Sequence, residues 1–244
     1  MTDEGIWRLP PNPVHISPDE VHIWRASLTL SPWLLTQFAR TLSREECLRA
    51  SRFHFSMHRD RFVAGRGLQR SILSRYIGVA PAALEFCTTD YGKPALAGEH
   101  AAWGIRFSVS HAGTMALYAI AMRREVGVDL EVVKPLPDVF ALARLVCSPH
   151  EIAMLADTPP AERDLAFLHC WTRKEAYGKA TGRGLMASLD RFNVTVGHDA
   201  GRWGRWLVKP LNISNEFVGV LVAEGADWRL RLFQPVSFTP CLAR

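Results

Sequence analysis

Apolar positions along this chain recur at two spacings, and the alternation between them divides it into elements. Over Ser56 to Ile77, Leu68, Ile72 and Tyr76 fall on one helical stripe with Leu73 and Ile77 beside it, which predicts a long helix ended by Gly78. A second long helix is predicted over 161–181, closed by Gly182 and Gly184. Shorter helices start at Ser31-Pro32, at the capping box Ser43-Arg-Glu-Glu46 (running to about Phe53), at Asp138, and at Ser148-Pro149-His150-Glu151. Short apolar or alternating runs predict strands over 21–30, 84–88, 105–110, 115–122, 126–131, 192–196, 206–209, 217–223 and 228–233. Gly65 and Gly67 lie inside the first long helix, where each costs about 1 kcal/mol relative to alanine, so they point to close packing.

Each half of the chain thus has a long helix followed by strands, and the halves meet near residues 122–126. The expected fold is α+β: two similar lobes, each with a long helix on a small, mainly antiparallel sheet. Residues 1–122 form the first lobe, with the proline-bearing stretch 1–20 as an extended arm. Residues 123–244 form the second, and the cleft between them is the expected site.

Composition adds modest constraints. The 244 residues carry a formal charge of +5, which favours an anionic partner without choosing among nucleic acid, a phosphorylated cofactor and an acidic protein. Five scattered cysteines without a close pair suggest reduced thiols in a reducing compartment. The start of the chain lacks a secretory pattern, and the longest apolar runs are too short to span a bilayer, so a cytoplasmic protein is expected, not a membrane one.

Chemistry concentrates in two blocks. In Gly127-Val-Asp129-Leu-Glu131, strand alternation sets Val126, Val128 and Leu130 on one face and both acids on the other, leaving the backbone roughly 6.6 Å apart. In Trp171-Thr-Arg-Lys174-Glu175-Ala-Tyr-Gly-Lys179, helical spacing puts Thr172, Glu175 and Lys179 on one face. Three acids beside lysines suit a hard divalent ion such as magnesium, which takes its other ligands from substrate phosphates. The bland alternatives are solvated strand acids and a Glu175–Lys179 surface pair. Ser110 and His111 are expected just past a strand end, where both can donate to one phosphate. Gly92-Lys93-Pro94 reads as a turn with an exposed lysine. Arg49, Arg52, Arg59, Arg61, Arg66 and Arg70 form a basic series, ordinarily a solvated face, in which Arg61 is best placed to grip an anion.

In order, these blocks resemble the 4′-phosphopantetheinyl transferases of the surfactin-synthetase-activating type. The matching residues are Gly127-Val-Asp129-Leu-Glu131 and Trp171-x-x-Lys174-Glu175-Ala-x-x-Lys179. Upstream, Phe107-Ser-Val-Ser110-His111, Tyr91-Gly-Lys93-Pro94 and Arg61-Phe62 followed by Leu-x-Arg70 match too, so the likeness covers about residues 40–195. The resemblance implies a pseudo-twofold, two-lobed fold that binds coenzyme A in its cleft and loads a serine of apo acyl or peptidyl carrier proteins of fatty-acid or secondary-metabolite synthesis. It implies magnesium on Asp129, Glu131 and Glu175, and Lys179 on the diphosphate. It places Lys93, Ser110 and His111 on the 3′-phosphate and adenosine side, with Arg61 and Arg49 assisting. Catalysis falls to Glu175, Lys179 and His111, with the serine proton going to Glu175 or to a water it holds. Glu46 departs from the pattern, lying where some relatives carry a lysine toward the coenzyme. A monomer completes such a site, and neither nucleic acid nor a membrane is an expected partner. Two other readings stay open on the residues alone: a nucleic-acid module using the arginine series, and a magnesium-dependent phosphohydrolase.

Overall fold

A computed structural model describes residues 6–184 and 201–235. The strand expected over 192–196 lies outside them, as does Cys241. Local signals set most boundaries. After β1 (Glu20–Ser27), Ser31 caps α1 (Pro32–Ala39) by accepting from the Leu34 amide. Both sides of the capping box between Ser43 and Glu46 are formed at the start of α2 (Arg44–Ser51). The long α3 spans Ser56–Ile77 and ends on a left-handed Gly78. Gly67 answers the packing question: a Cβ there would overlap the Phe38 side chain of α1.

A small hairpin of β2 (Phe86–Thr88) and β3 (Pro94–Leu96) precedes β4 (Ile105–Ala112), β5 (Met115–Met122) and β6 (Val126–Val132). Then come α4 (Val139–Val146), α5 (Pro149–Asp157), with its own capping box, and α6 (Arg163–Thr181), closed by left-handed Gly182. Four further strands follow: β7 (Gly201–Trp203), which the apolar pattern does not predict, β8 (Trp206–Ser214), β9 (Phe217–Glu224) and β10 (Arg229–Phe233).

The strands form two four-stranded sheets, in the orders β10-β1-β5-β4 and β6-β9-β8-β7. They pack face to face: Val21, Ile23, Leu117 and Ala119 of the first meet Val128, Leu130, Leu221 and Ala223 of the second in one core. The outer face of the first sheet, through Trp24, Tyr118 and Ile120, carries α3; that of the second, through Val208, Val220 and Val222, carries α6. Covered on both faces, β5 and β9 read as continuous apolar runs instead of alternating ones.

One placement cuts across the expected division at residue 122. Strand β10 leaves the second half and pairs in parallel with β1, from Glu20 with Arg229 to Trp24 with Phe233. The proline-bearing arm follows it, as Arg8 exchanges backbone hydrogen bonds with Leu232 and Gln234. The arm and β10 therefore both brace the first sheet.

Candidate active site

Gly127 sets the site. Alternation along β6 sends Val126, Val128 and Leu130 into the shared core, so Gly127, Asp129 and Glu131 face α6. A Cβ at Gly127 would overlap the Ala176 carbonyl and the Ala180 amide, so only glycine lets the helix lie directly on the strand there. That close approach brings Glu175 and Lys179 over the two strand acids.

Lys179 Nζ donates to Asp129 Oδ1 at 2.6 Å and to Ser110 Oγ at 3.1 Å, while Ser110 donates to the same Oδ1 at 2.8 Å. Asp129 is 4% exposed, and its other oxygen, Oδ2, is buried without a hydrogen-bond partner. Leaving such an acceptor unsatisfied costs roughly 1–3 kcal/mol. Glu131 accepts from the Trp171 indole at 3.1 Å. Burial pushes the Glu131 carboxyl above its ordinary pKa; the Trp171 hydrogen bond opposes this and the Asp129 charge adds to it. Glu175 is also raised, first by burial and then by Asp129, with Lys179 opposing and Glu131 adding. Both glutamates are thus held toward the neutral form, by burial first, near the buried and half-satisfied Asp129. Among the described residues, the one trio of His, Cys, Asp or Glu groups with ligand atoms all within 4.8 Å of one another is Cys147, Glu151 and Cys170. The three acids are set wider than that.

Beyond them lies a cleft of about 560 Å³ lined by Arg49, Arg61, Phe62, His111 and Tyr118. Arg49, Phe62, Arg66 and Pro94 also wall an adjoining cavity of about 960 Å³. Both have the size of small-molecule sites. The three acids line neither; His111 is the link. Its ring is open to the cleft, yet desolvation by the surrounding protein holds its pKa below the ordinary value, with Lys179 adding and Asp129 opposing.

Two family models match consecutive stretches of the chain: 4′-phosphopantetheinyl transferase, N-terminal, over residues 24–123, and the 4′-phosphopantetheinyl transferase superfamily over 125–230. Over 187 residues the chain is 42% identical to the 4′-phosphopantetheinyl transferase HetI of Nostoc sp., covering 77% of this chain and 78% of that protein. The chain belongs to the 4′-phosphopantetheinyl transferase superfamily. It is 29% identical to the 4′-phosphopantetheinyl transferase Sfp of Bacillus subtilis over 163 residues, 67% of this chain and 70% of that one.

Several residues of this transferase sit differently from expectation. Ser110 and His111 lie within β4, not past its end, and the Ser110 hydroxyl is engaged by Asp129 and Lys179. Lys93 is no exposed turn lysine: its side chain is 12% exposed, and Nζ donates to Glu125 at 2.8 Å, to the Val126 carbonyl at 3.1 Å and to the Ala180 carbonyl at 3.4 Å. It ties the β2–β3 hairpin to β6 and to the last turn of α6. Lys174 is fully buried and pairs with Glu151 at 2.8 Å, away from the acids it was expected to accompany. Glu46 closes the α2 capping box and holds Arg70 Nε at 2.8 Å and Arg66 Nε at 2.6 Å. Two members of the basic series are thereby tied to Glu46, Arg70 buried and Arg66 half-buried. Trp171, inside a motif but without an expected role, orients Glu131. The lone signal for it was its place one helical turn before Glu175.

Proposed function

We propose that this transferase moves 4′-phosphopantetheine from coenzyme A to a serine of apo carrier proteins, with Asp129, Glu131 and Glu175 holding a magnesium ion beside the diphosphate. The observation that supports the metal assignment is Asp129 Oδ2, a buried oxygen without a hydrogen-bond partner, on a carboxylate whose charge adds to burial in holding Glu131 and Glu175 toward the neutral form. An all-oxygen donor set suits a hard cation. When bound, magnesium neutralises diphosphate charge and eases departure of 3′,5′-ADP.

The chain's own groups supply the rest. Lys179, held over Asp129 by a 2.6 Å bond and 28% exposed, presents its ammonium to the diphosphate. The proton of the attacking serine goes to Glu175 or to a water that it holds. Arg49, Arg61 and His111 line the cleft and receive the adenosine and its 3′-phosphate. Ser110 fixes Asp129, and Lys93 fixes the end of α6, so both act by positioning. The site is complete within one chain, which suits a monomer. The nucleic-acid reading loses ground because Arg66 and Arg70 turn inward to Glu46.

The direct test is mass spectrometry of apo carriers incubated with enzyme, coenzyme A and magnesium. Gain of the phosphopantetheine mass, absent when chelator is added, is expected; no gain across acyl and peptidyl carriers contradicts the proposal. Glu175→Gln is expected to lower kcat roughly 10²-fold and to remove the acid limb of the pH–rate profile. A base must be ionised to accept the proton, so the wild-type rate is expected to rise with pH along that acid limb. An unchanged acid limb in the variant would assign that proton elsewhere. For His111→Ala, titration calorimetry should show coenzyme A affinity falling about tenfold, the loss of one cleft contact worth ~1.4 kcal/mol. Equal affinity would remove His111 from the coenzyme site.

A further inference from the structure

Behind the acids, at the junction of α4 and α5 with α6, lies a cluster that the transfer reaction does not use. Cys147 ends α4 and Cys170 lies in the middle of α6; they are 6% and 1% exposed, with their Sγ atoms 3.7 Å apart. Glu151, on α5, is the third member of the trio whose ligand atoms lie within 4.8 Å of one another. Its geometry first suggests a thiolate-bearing metal site. Against that, Glu151 Oε2 already accepts from the Ser148 amide at 2.7 Å and faces the Lys174 ammonium at 2.8 Å, so the cation this pocket calls for is part of the chain. What remains available is the pair of sulfurs.

We infer that Cys147 and Cys170 are a reversible disulfide site. Closing the bond shortens the sulfur separation from 3.7 Å to about 2.05 Å, a movement within reach of side-chain rotation and a small helix shift. The two differ in readiness. A hydrogen bond from Cys170 holds the Cys147 thiol below its ordinary pKa, against the cost of burial and aided by Lys174, while Cys170 is raised. Cys147 is therefore the attacking sulfur and Cys170 the resolving one. With a peroxide as oxidant, the Cys147 thiolate attacks the O–O bond and becomes a sulfenic acid as one oxygen leaves as water. The Cys170 sulfur then displaces the hydroxyl as a second water, forming the S–S bond. Two electrons pass from the two sulfurs to one peroxide, and a dithiol returns the reduced pair. The cross-link would join the α4–α5 junction to α6 one residue before Trp171, whose indole holds Glu131.

The test uses the full chain with Cys47→Ser, Cys87→Ser and Cys241→Ser, so that only the two buried thiols remain. After hydrogen peroxide, intact mass should fall by two hydrogens, both thiols should resist alkylation even in denaturant, and a Cys147–Cys170 linked peptide should appear, all reversed by dithiothreitol. Adding Cys170→Ser to that background should leave a dimedone-reactive sulfenic acid on Cys147. Several outcomes would overturn the inference. These are free thiols in denaturant after peroxide, sulfinic acid at either position with both cysteines present, or stoichiometric zinc that blocks alkylation of both in the untreated protein.

Discussion

Asp129→Ala is expected to lower carrier loading by roughly 10²–10³-fold, the scale seen when a principal electrostatic stabiliser of a transition state is removed. The reason is local. Asp129 combines a buried oxygen without a hydrogen-bond partner with an oxygen that anchors both Lys179 and Ser110. On the proposed assignment, truncation would remove a metal ligand and would also free Lys179 from the oxygen that holds it. The fold should survive, because Lys179 is partly open to water and can be solvated, and the alanine leaves no buried charge behind. Loading measured by mass spectrometry, with circular dichroism as the control for folding, checks both halves. Activity within tenfold of wild type in a folded variant would contradict the role given to Asp129. Asp129→Asn separates charge from volume: it nearly preserves the packing and is expected to fail almost as completely.

The largest effect on stability is expected at Lys174, in the motif that carries Glu175. Lys174→Met removes the ammonium that faces Glu151 in a pocket where both side chains are 0% exposed. Breaking one side of a buried pair costs about 3–5 kcal/mol, because the other charge stays inside. For a chain of this length that is a fall of roughly 10 °C in Tm. By contrast, the exposed Arg229–Asp19 pair, with side chains 64% and 54% exposed, should contribute under about 1 kcal/mol. The double substitution Lys174→Met with Glu151→Leu should recover most of the loss, since an apolar pair of similar volume can replace a buried ion pair. Urea denaturation of the single and double variants reads this directly. A single variant within about 1 kcal/mol of wild type would show that the pair does not brace α5 on α6.

What was legible in the chain was local. Capping boxes at Ser43 and Ser148, the left-handed glycines after α3 and α6, and alternation along β6 depend on neighbours within a few residues. Hence the helix Ser56–Ile77 and the common face of Asp129 and Glu131 could be read directly. Partners were not legible, because pairing depends on the fold. Lys174 meets Glu151 across two helices, Lys93 meets the Ala180 carbonyl across 87 positions, and Glu46 collects arginines 20 and 24 residues on. Charges that looked like site groups are internal ties, since burial makes pairing obligatory. The return of β10 to β1 escaped for the same reason: a parallel partner leaves no trace in the strand's own pattern.

The folded-state pKa values of Glu131 and Glu175 are raised, so their ionisation opposes folding as pH rises through the carboxylate range, and a bound cation relieves that cost. The most direct measurement is anomalous diffraction from crystals grown with coenzyme A and manganese in place of magnesium. One peak bonded to an oxygen from each of Asp129, Glu131 and Glu175, and lost in Asp129→Asn crystals, is the expected result. A peak that leaves out any of the three, or density only at the cysteine cluster, would contradict it.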